Sequence, residues 1–221
     1  PFTHHFTDKG YEEASKDREE SQSISLKIGV AVAMADGSLE DAEGEILKSW
    51  IIKEVAAFSD SKQKRVKTMF NKSLKEGFDH AKKGKLVLSD LVERLAEIGD
   101  KKSKYDAIEL CLDVMAADGV ADPEEMSVIR NVAKSLDLDM GEIEKMREKV
   151  TLNLSTALTS EEGMESLVGI ESSWTDEQKR KHLRTEFQKW SNRLNSLPEG
   201  EERQSAQNML DNIATLRKKY G

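Results

Sequence analysis

The sequence predicts an all-α protein, with a pseudo-twofold helical domain followed by a C-terminal helical hairpin. Apolar residues recur at steps of three or four along most of the 221 residues. The composition is 34% charged and 37% hydrophobic with 3 prolines, which is typical of helices with wide solvated faces. A helix–acidic loop–helix pattern also occurs twice at a constant offset of 82 residues, from Asp36 to Asp118 and from Glu43 to Glu125. Such a repeat indicates two related halves.

The repeat sets the order of the predicted helices. Asp36-Gly37 should end the first helix, because glycine adopts backbone conformations that other residues resist. Pro123 is suited to the first turn of its helix, where the missing N–H costs nothing. Periodicity predicts helices over 22–35, 40–58, 61–78, a short one from Ser89, 104–117, 122–136, 139–150, 175–197 and 199–220.

These helices group into four segments. Residues 1–21 are polar without a sustained period and are predicted to be a linker or arm, and residues 22–150 form the repeated domain. Residues 151–173, rich in Ser, Thr and Gly, are predicted to be a linker with one short helix. Residues 174–221 are expected to form an antiparallel hairpin that turns at Leu197-Pro198-Glu199-Gly200. The chain begins at Pro1 rather than at methionine, so we expect it to be part of a longer protein.

Charge and cysteine usage limit the class of protein. A net charge of −8 disfavours nonspecific nucleic-acid binding. The single cysteine, Cys111, lies in an apolar stretch and is predicted to be a buried structural thiol. The lack of an internal disulfide fits a reducing compartment, and a cytoplasmic location is expected. No apolar run approaches the roughly 20 residues of a transmembrane helix.

One block of the chain is basic within this acidic protein. Residues 62–85 contain nine Lys or Arg residues against two acids, Glu76 and Asp79. A solvated face explains this pattern, and so does a docking surface for an acidic partner or an anionic membrane. The candidate partner-binding residues are Lys62, Lys64, Arg65, Lys67, Lys72 and Lys75.

The two acidic loops share the pattern Asp-Gly-x-x-(Asp/Glu)-x-x-Glu. Clustered carboxylates without His or Cys suit hard cations such as Ca²⁺ or Mg²⁺. The pattern is not that of an EF-hand, because the glycine directly follows the first Asp. Helix capping and the helix dipole favour the same residues, so the spacing alone leaves both interpretations open.

The passages Val32-Ala33-Met34-Ala35-Asp36-Gly37 and Val114-Met115-Ala116-Ala117-Asp118-Gly119, each followed by Glu at the same distance, resemble the TerB family of tellurite-resistance proteins. The resemblance covers roughly residues 22–150. It implies an all-helical domain of two related halves that binds a divalent cation, and it links the chain to stress response, phage defence and envelope-linked complexes.

By position, the resemblance implies the metal candidates Asp36, Glu40, Glu43, Asp118, Asp122 and Glu125. Ca²⁺ and Mg²⁺ are the expected cofactors. Two residues depart from the shared pattern of the two copies. Gly44 is a poor residue for a helix interior, and Ala121 replaces the larger Leu39 of the first copy.

The tail has its own resemblance, to the two long helices of a J-domain. The turn between such helices should read His-Pro-Asp, and here it reads Leu197-Pro198-Glu199. The resemblance therefore implies a hairpin without chaperone stimulation. A generic helical hairpin explains the pattern equally well.

Three functions are compatible with these patterns. The first is a non-enzymatic, metal-binding interaction or scaffold module with a protein partner, at the inner membrane periphery or free of it. The second is a metal-dependent hydrolase that uses the paired loops, although such enzymes usually add a base near the metal. His80 and His182 are isolated from other candidate catalytic residues in the sequence and are predicted to be surface residues, so no catalytic residue is assigned. The third is a co-chaperone-like adaptor.

Overall fold

The chain is all-α. The computed structural model describes residues 10–35, 37, 39–117, 123–153, 161–171 and 173–220. Within these ranges the chain forms helices and no strand. The helices are α1 (Tyr11–Ala33), α2 (Asp41–Ala56), α3 (Asp60–Lys82), α4 (Leu88–Ile98), α5 (Lys101–Met115), α6 (Pro123–Ser135), α7 (Met140–Asn153), α8 (Glu161–Val168), α9 (Asp176–Ser196) and α10 (Glu201–Tyr220).

Helix α1 lies at the centre of the fold and packs against α3, α4 and α5. Its two apolar faces enter different core clusters. Ile24, Ile28 and Val32 join the larger cluster with α4 to α10. Leu26 and Val30 join the smaller cluster with α2 and α3. The fold is therefore organised around the first helix of the repeat.

The predicted arm over residues 1–21 is wrong for its second half, because α1 begins at Tyr11. Apolar periodicity misses this part of the helix, since ion pairs rather than apolar contacts connect it to the fold. Glu19 pairs with Arg65 of α3 at 2.6 Å, and Glu20 pairs with Arg94 of α4 at 2.7 Å. Residues 1–9 lie outside the described ranges.

The segment predicted as a linker over residues 151–173 takes part in the core. Helix α7 continues to Asn153, and α8 follows from Glu161. Leu167, Val168 and Ile170 are buried in the larger core cluster together with residues of α5 and α6. A short apolar run, too brief to show a helical period, is enough to anchor α8.

Helices α9 and α10 form the expected antiparallel hairpin. Arg180, near the start of α9, donates to the carbonyl of Tyr220 at the end of α10, and Arg203 of α10 donates to the carbonyl of Leu194. Leu183, Trp190 and Ile213 share the larger core cluster with the repeat. The hairpin is thus packed onto the first 150 residues.

Candidate functional site

The 82-residue repeat is visible in the helix boundaries. Helix α1 ends at Ala33 and α5 at Met115, while α2 begins at Asp41 and α6 at Pro123, and both offsets are 82. Equivalent apolar positions are buried in both copies, as in the pairs Leu26 and Ile108, Val32 and Val114, and Leu47 and Ile129. The two acidic loops therefore connect equivalent helices.

In the first copy, the described acids cap α2. Glu40 is the N-cap residue of α2. The backbone N–H of Glu40 donates a hydrogen bond to the Oε2 atom of Glu43 at 2.7 Å. The two residues form a capping box, which satisfies backbone donors that the first turn would otherwise leave free. Glu43 is buried and Glu40 is exposed.

In the second copy, Glu125 occupies the same third position of its helix and is also buried, at 4% exposure. Burial raises the pKa of the Cys111 thiol to about 12, and the negative charge of Glu125 adds to the shift. The cysteine is therefore a buried structural thiol, as the sequence predicts.

The basic block forms one face of α3. Val66, Phe70 and Gly77 are buried on the inner side of the helix. On the outer side, Lys64, Lys67 and Lys75 are exposed, at helical steps that place them on a common face. None of the three forms an ion pair with another described residue. In the described part of this acidic chain they are cations without a counter-charge of their own.

Two of the six predicted contact residues are bound within the chain. Arg65 donates two hydrogen bonds to the buried carboxylate of Glu19. Lys72 lies 3.7 Å from Glu76 on the next turn, and Lys27 shares that carboxylate at 3.2 Å. Lys62 is only partly exposed. The outer face available to a partner thus consists mainly of Lys64, Lys67 and Lys75.

A groove separates the first turns of α2 from the second half of α3. One part of about 580 Å³ has an apolar floor that includes Leu39, Leu74 and Phe78. An adjoining part of about 710 Å³ shares Leu39 and Phe78 and continues past the end of α3. Three acids and one lysine line the α2 wall, and two lysines line the α3 wall. The groove is therefore apolar at its base and oppositely charged on its two sides.

Charged side chains on the two walls give the groove its polarity. The α2 side carries Glu40, Asp41 and Glu45 together with Lys48, which pairs with Glu45 at 2.6 Å. Lys75 lies on the α3 side of the first part and Lys82 on that of the second. The Lys82 ammonium sits 4.5 Å from the centre of the Phe78 ring.

Comparison with known proteins decides the family. A family profile described as Tellurite resistance protein TerB matches residues 26–148, which is more than half of the chain. The chain belongs to the TerB family. No curated protein and no solved structure matches it.

In this TerB-family chain the predicted metal candidates are only partly described. Asp36, Asp118 and Asp122 lie outside the described residues. Among the described residues, no group of three or more His, Cys, Asp or Glu side chains is placed to hold a metal ion. The donor set is made of carboxylates alone, which fits a hard cation in type. Cation binding therefore stays a prediction.

The TerB match ends at residue 148, so it does not extend to the hairpin, whose J-domain resemblance also stays a prediction. Within the hairpin, the Nε2 atom of His182 lies 2.9 Å from the carbonyl oxygen of Val168. Its ring packs edge-on against Trp174. His182 is therefore held by structural contacts rather than being a solvated surface residue as predicted.

The groove is the feature of this TerB-family chain that the sequence patterns do not reveal. Its apolar floor combines Val30 of α1, Leu39 before α2 and Leu74 of α3, so no local period marks it. Gly44 is the one local sign, since a glycine in the first turns of an otherwise regular helix needs a reason.

Among the described helices, none is long and apolar enough to cross a membrane.

Proposed function

We propose that the chain is a non-catalytic interaction module of a tellurite-resistance-related stress or defence system, which docks an acidic protein through the outer face of α3. The observation that carries the proposal is the row of exposed lysines at positions 64, 67 and 75, which form no ion pair with a described residue. Cations without intramolecular partners accelerate and orient encounters with acidic surfaces. The family match supports the system to which the module belongs.

The proposal includes cation binding at the acidic loops. Glu40 and Glu43 in the first loop and Glu125 in the second would supply carboxylate oxygens, together with Asp36, Asp118 and Asp122. A bound divalent cation would relieve repulsion among these carboxylates and stabilise the folded module. We propose that the cation supports the fold rather than catalysing a reaction.

A non-catalytic role is supported by the histidines. His182 uses its Nε2 atom for the contact with Val168, and His80 is exposed on the last turn of α3 and is not among the residues that line the groove beside the first loop. A metal-dependent hydrolase needs a base close to its metal. Turnover of a phosphodiester or peptide substrate that disappears in Asp118→Asn would establish the hydrolase instead.

The docking surface can be tested with poly-glutamate as an acidic probe. The triple variant Lys64→Glu, Lys67→Glu, Lys75→Glu should lose binding in titration calorimetry, and wild-type binding should weaken with salt over a screening length of roughly 8–10 Å. The matched control is Lys16→Glu, Lys181→Glu, Lys218→Glu, which makes the same charge change at exposed lysines elsewhere. Equal binding by both triple variants would refute the assignment of α3.

The location of the partner is tested with the same proteins. We propose a cytoplasmic site of action, with the partner at the inner membrane periphery. Vesicles of phosphatidylcholine and phosphatidylserine distinguish a protein partner from the membrane itself. If the α3 triple variant loses vesicle binding but keeps poly-glutamate binding, the surface recognises anionic lipid and the protein-docking proposal is wrong.

A further inference from the structure

We infer that the groove between α2 and α3 receives an amphipathic helix of the partner, with acidic residues along the side that faces α3. The inference rests on the proposed docking function and specifies the chemistry of the partner. It is carried by an unexplained glycine, by a difference between the two copies of the repeat, and by the charges of the groove walls.

Gly44 has no structural reason within the described chain. It lies in the fourth position of α2 and has an ordinary helical hydrogen bond to the carbonyl of Glu40 at 3.1 Å. A methyl group added at Gly44 would meet no atom within 4 Å apart from its chain neighbours and the backbone of its own helix turns. Glycine destabilises a helix relative to alanine, so this position carries a cost without an internal gain. Because Gly44 lines the groove, close approach of another backbone accounts for it.

The two copies of the repeat differ at the position of Gly44. The position equivalent to Gly44 is Met126, which is buried in the larger core cluster. Helix α6 packs against α8 in addition to the helices of the repeat. Helix α2, its counterpart, packs only against α1, α3 and α5 among the described elements that make substantial contacts. The second copy thus fills with Met126 the position that Gly44 leaves open in the first.

Charge complementarity selects the kind of helix. Lys75 and Lys82 on the α3 wall favour acidic residues on one side of the occupant. Leu39, Leu74 and Phe78 at the base favour an apolar stripe at helical spacing. Helix α8 has this character, since its sequence Glu-Glu-Gly-Met-Glu-Ser-Leu-Val combines acids with apolar residues. A partner helix of similar composition fits the open groove.

The test uses designed helical peptides of about 18 residues, or five turns. The first has leucines on one face and glutamates beside them. A second has the same composition in an order that disperses the leucines, and a third has lysines in place of the glutamates. We expect the first peptide to bind the full chain at least about tenfold more tightly than the other two. Failure of the first peptide to bind, or equal binding by the dispersed peptide, would overturn the inference.

Gly44→Ala should change the stability of the chain and its peptide binding in opposite directions. The variant should raise the melting temperature, because alanine favours the helix, and should weaken binding of the first peptide by about tenfold, because the methyl group obstructs the groove. Its binding of poly-glutamate, which has no apolar stripe, should not change. A stabilised variant that binds the striped peptide as well as the wild type would exclude the groove while leaving the lysine surface intact.

The same variant separates the partner helix from a second copy of the chain. Sedimentation velocity over a range of concentrations should show that the wild type and Gly44→Ala have the same oligomeric state. If the wild type forms a dimer that Gly44→Ala abolishes, the groove is a self-association site and the inferred partner is wrong. If the α3 triple variant loses poly-glutamate binding while Gly44→Ala binds the first peptide as well as the wild type does, the docking function is supported and the groove inference is wrong.

Discussion

The guanidinium of Arg65 donates two hydrogen bonds to the carboxylate of Glu19, at 2.9 Å from Nη1 and 2.6 Å from Nη2. The Glu19 side chain is buried, whereas the Arg65 side chain is 58% exposed. The hydrogen bond to Glu19 is the main cause that raises the pKa of Arg65. This bidentate pair attaches α3 to the N-terminal half of α1.

Arg65→Ala is expected to lower the melting temperature, because it leaves the carboxylate of Glu19 buried without its cation. Lys64→Ala is the control, since Lys64 is exposed and unpaired among the described residues, and such changes usually stay within about 0.5 kcal/mol. Thermal unfolding followed by circular dichroism measures both. Equal melting temperatures for the two variants would show that the pair contributes nothing.

The sequence predicts those parts of the fold in which an apolar face repeats. The boundaries of α2, α5 and α6 follow from the 82-residue offset and from residues such as Leu47 and Ile129, because burying one face of a helix imposes a period of 3.6 residues. The start of α1 does not follow, because Glu19 and Glu20 are connected to the fold by salt bridges between distant segments. Pairing over such distances leaves no local pattern.

The candidate site also has features that the sequence predicts and features that only the packing of distant segments creates. Sequence alone indicates that α3 is basic, but it cannot separate Arg65, which binds Glu19, from Lys67, which has no described ion pair. Likewise, Glu43 fits both a cap and a metal ligand by its spacing, and only the folded structure shows that its carboxylate accepts a hydrogen bond from the backbone N–H of Glu40. The groove requires the packing of α3 beside α2, which no single segment encodes.

Lys189 of α9 joins the hairpin to the repeat through the buried carboxylate of Glu148. It pairs with Glu148 of α7 and lies 3.3 Å from Glu186, which also accepts a hydrogen bond from the indole of Trp190 at 3.2 Å. Lys189→Met should destabilise the chain by about 1–3 kcal/mol, less than for a fully buried pair because the lysine is 38% exposed.

Urea unfolding followed by tryptophan fluorescence measures this loss. Adding Glu148→Gln to Lys189→Met should restore part of the stability, because one of the two unpaired charges is removed. Strictly additive destabilisation in the double variant would mean that Lys189 and Glu148 do not interact. The expected recovery would identify α7 and α9 as a coupled contact.

Cys111 should be unreactive in the folded chain. Its thiol is fully buried, and burial followed by the charge of Glu125 raises its pKa to about 12. At pH 8, labelling by a disulfide reagent should be at least about a thousandfold slower than in denaturant, because it requires opening of the core.

The same shift predicts a pH dependence of stability. The contribution of Cys111 is fully present below the unfolded pKa of about 8.5, and it is lost as the pH rises from there towards about 12, because only the unfolded thiol ionises in that range. Comparison with Cys111→Ser isolates the contribution, since serine does not titrate there. Rapid labelling of the native wild type at pH 8 would contradict the burial.

A divalent cation should stabilise the domain if the acidic loops bind it. At saturating Mg²⁺ or Ca²⁺ we expect a gain of about 1–3 kcal/mol over the chelated protein, because ligands that bind only the folded state stabilise it by mass action. Asp36→Asn together with Asp118→Asn should abolish the gain in melting temperature, whereas the exposed change Lys181→Gln should preserve it. If chelated and cation-saturated wild type melt at the same temperature, Glu43 and its equivalent Glu125 serve as helix-terminal residues alone. A gain that survives the double Asn variant would place the cation elsewhere on the chain.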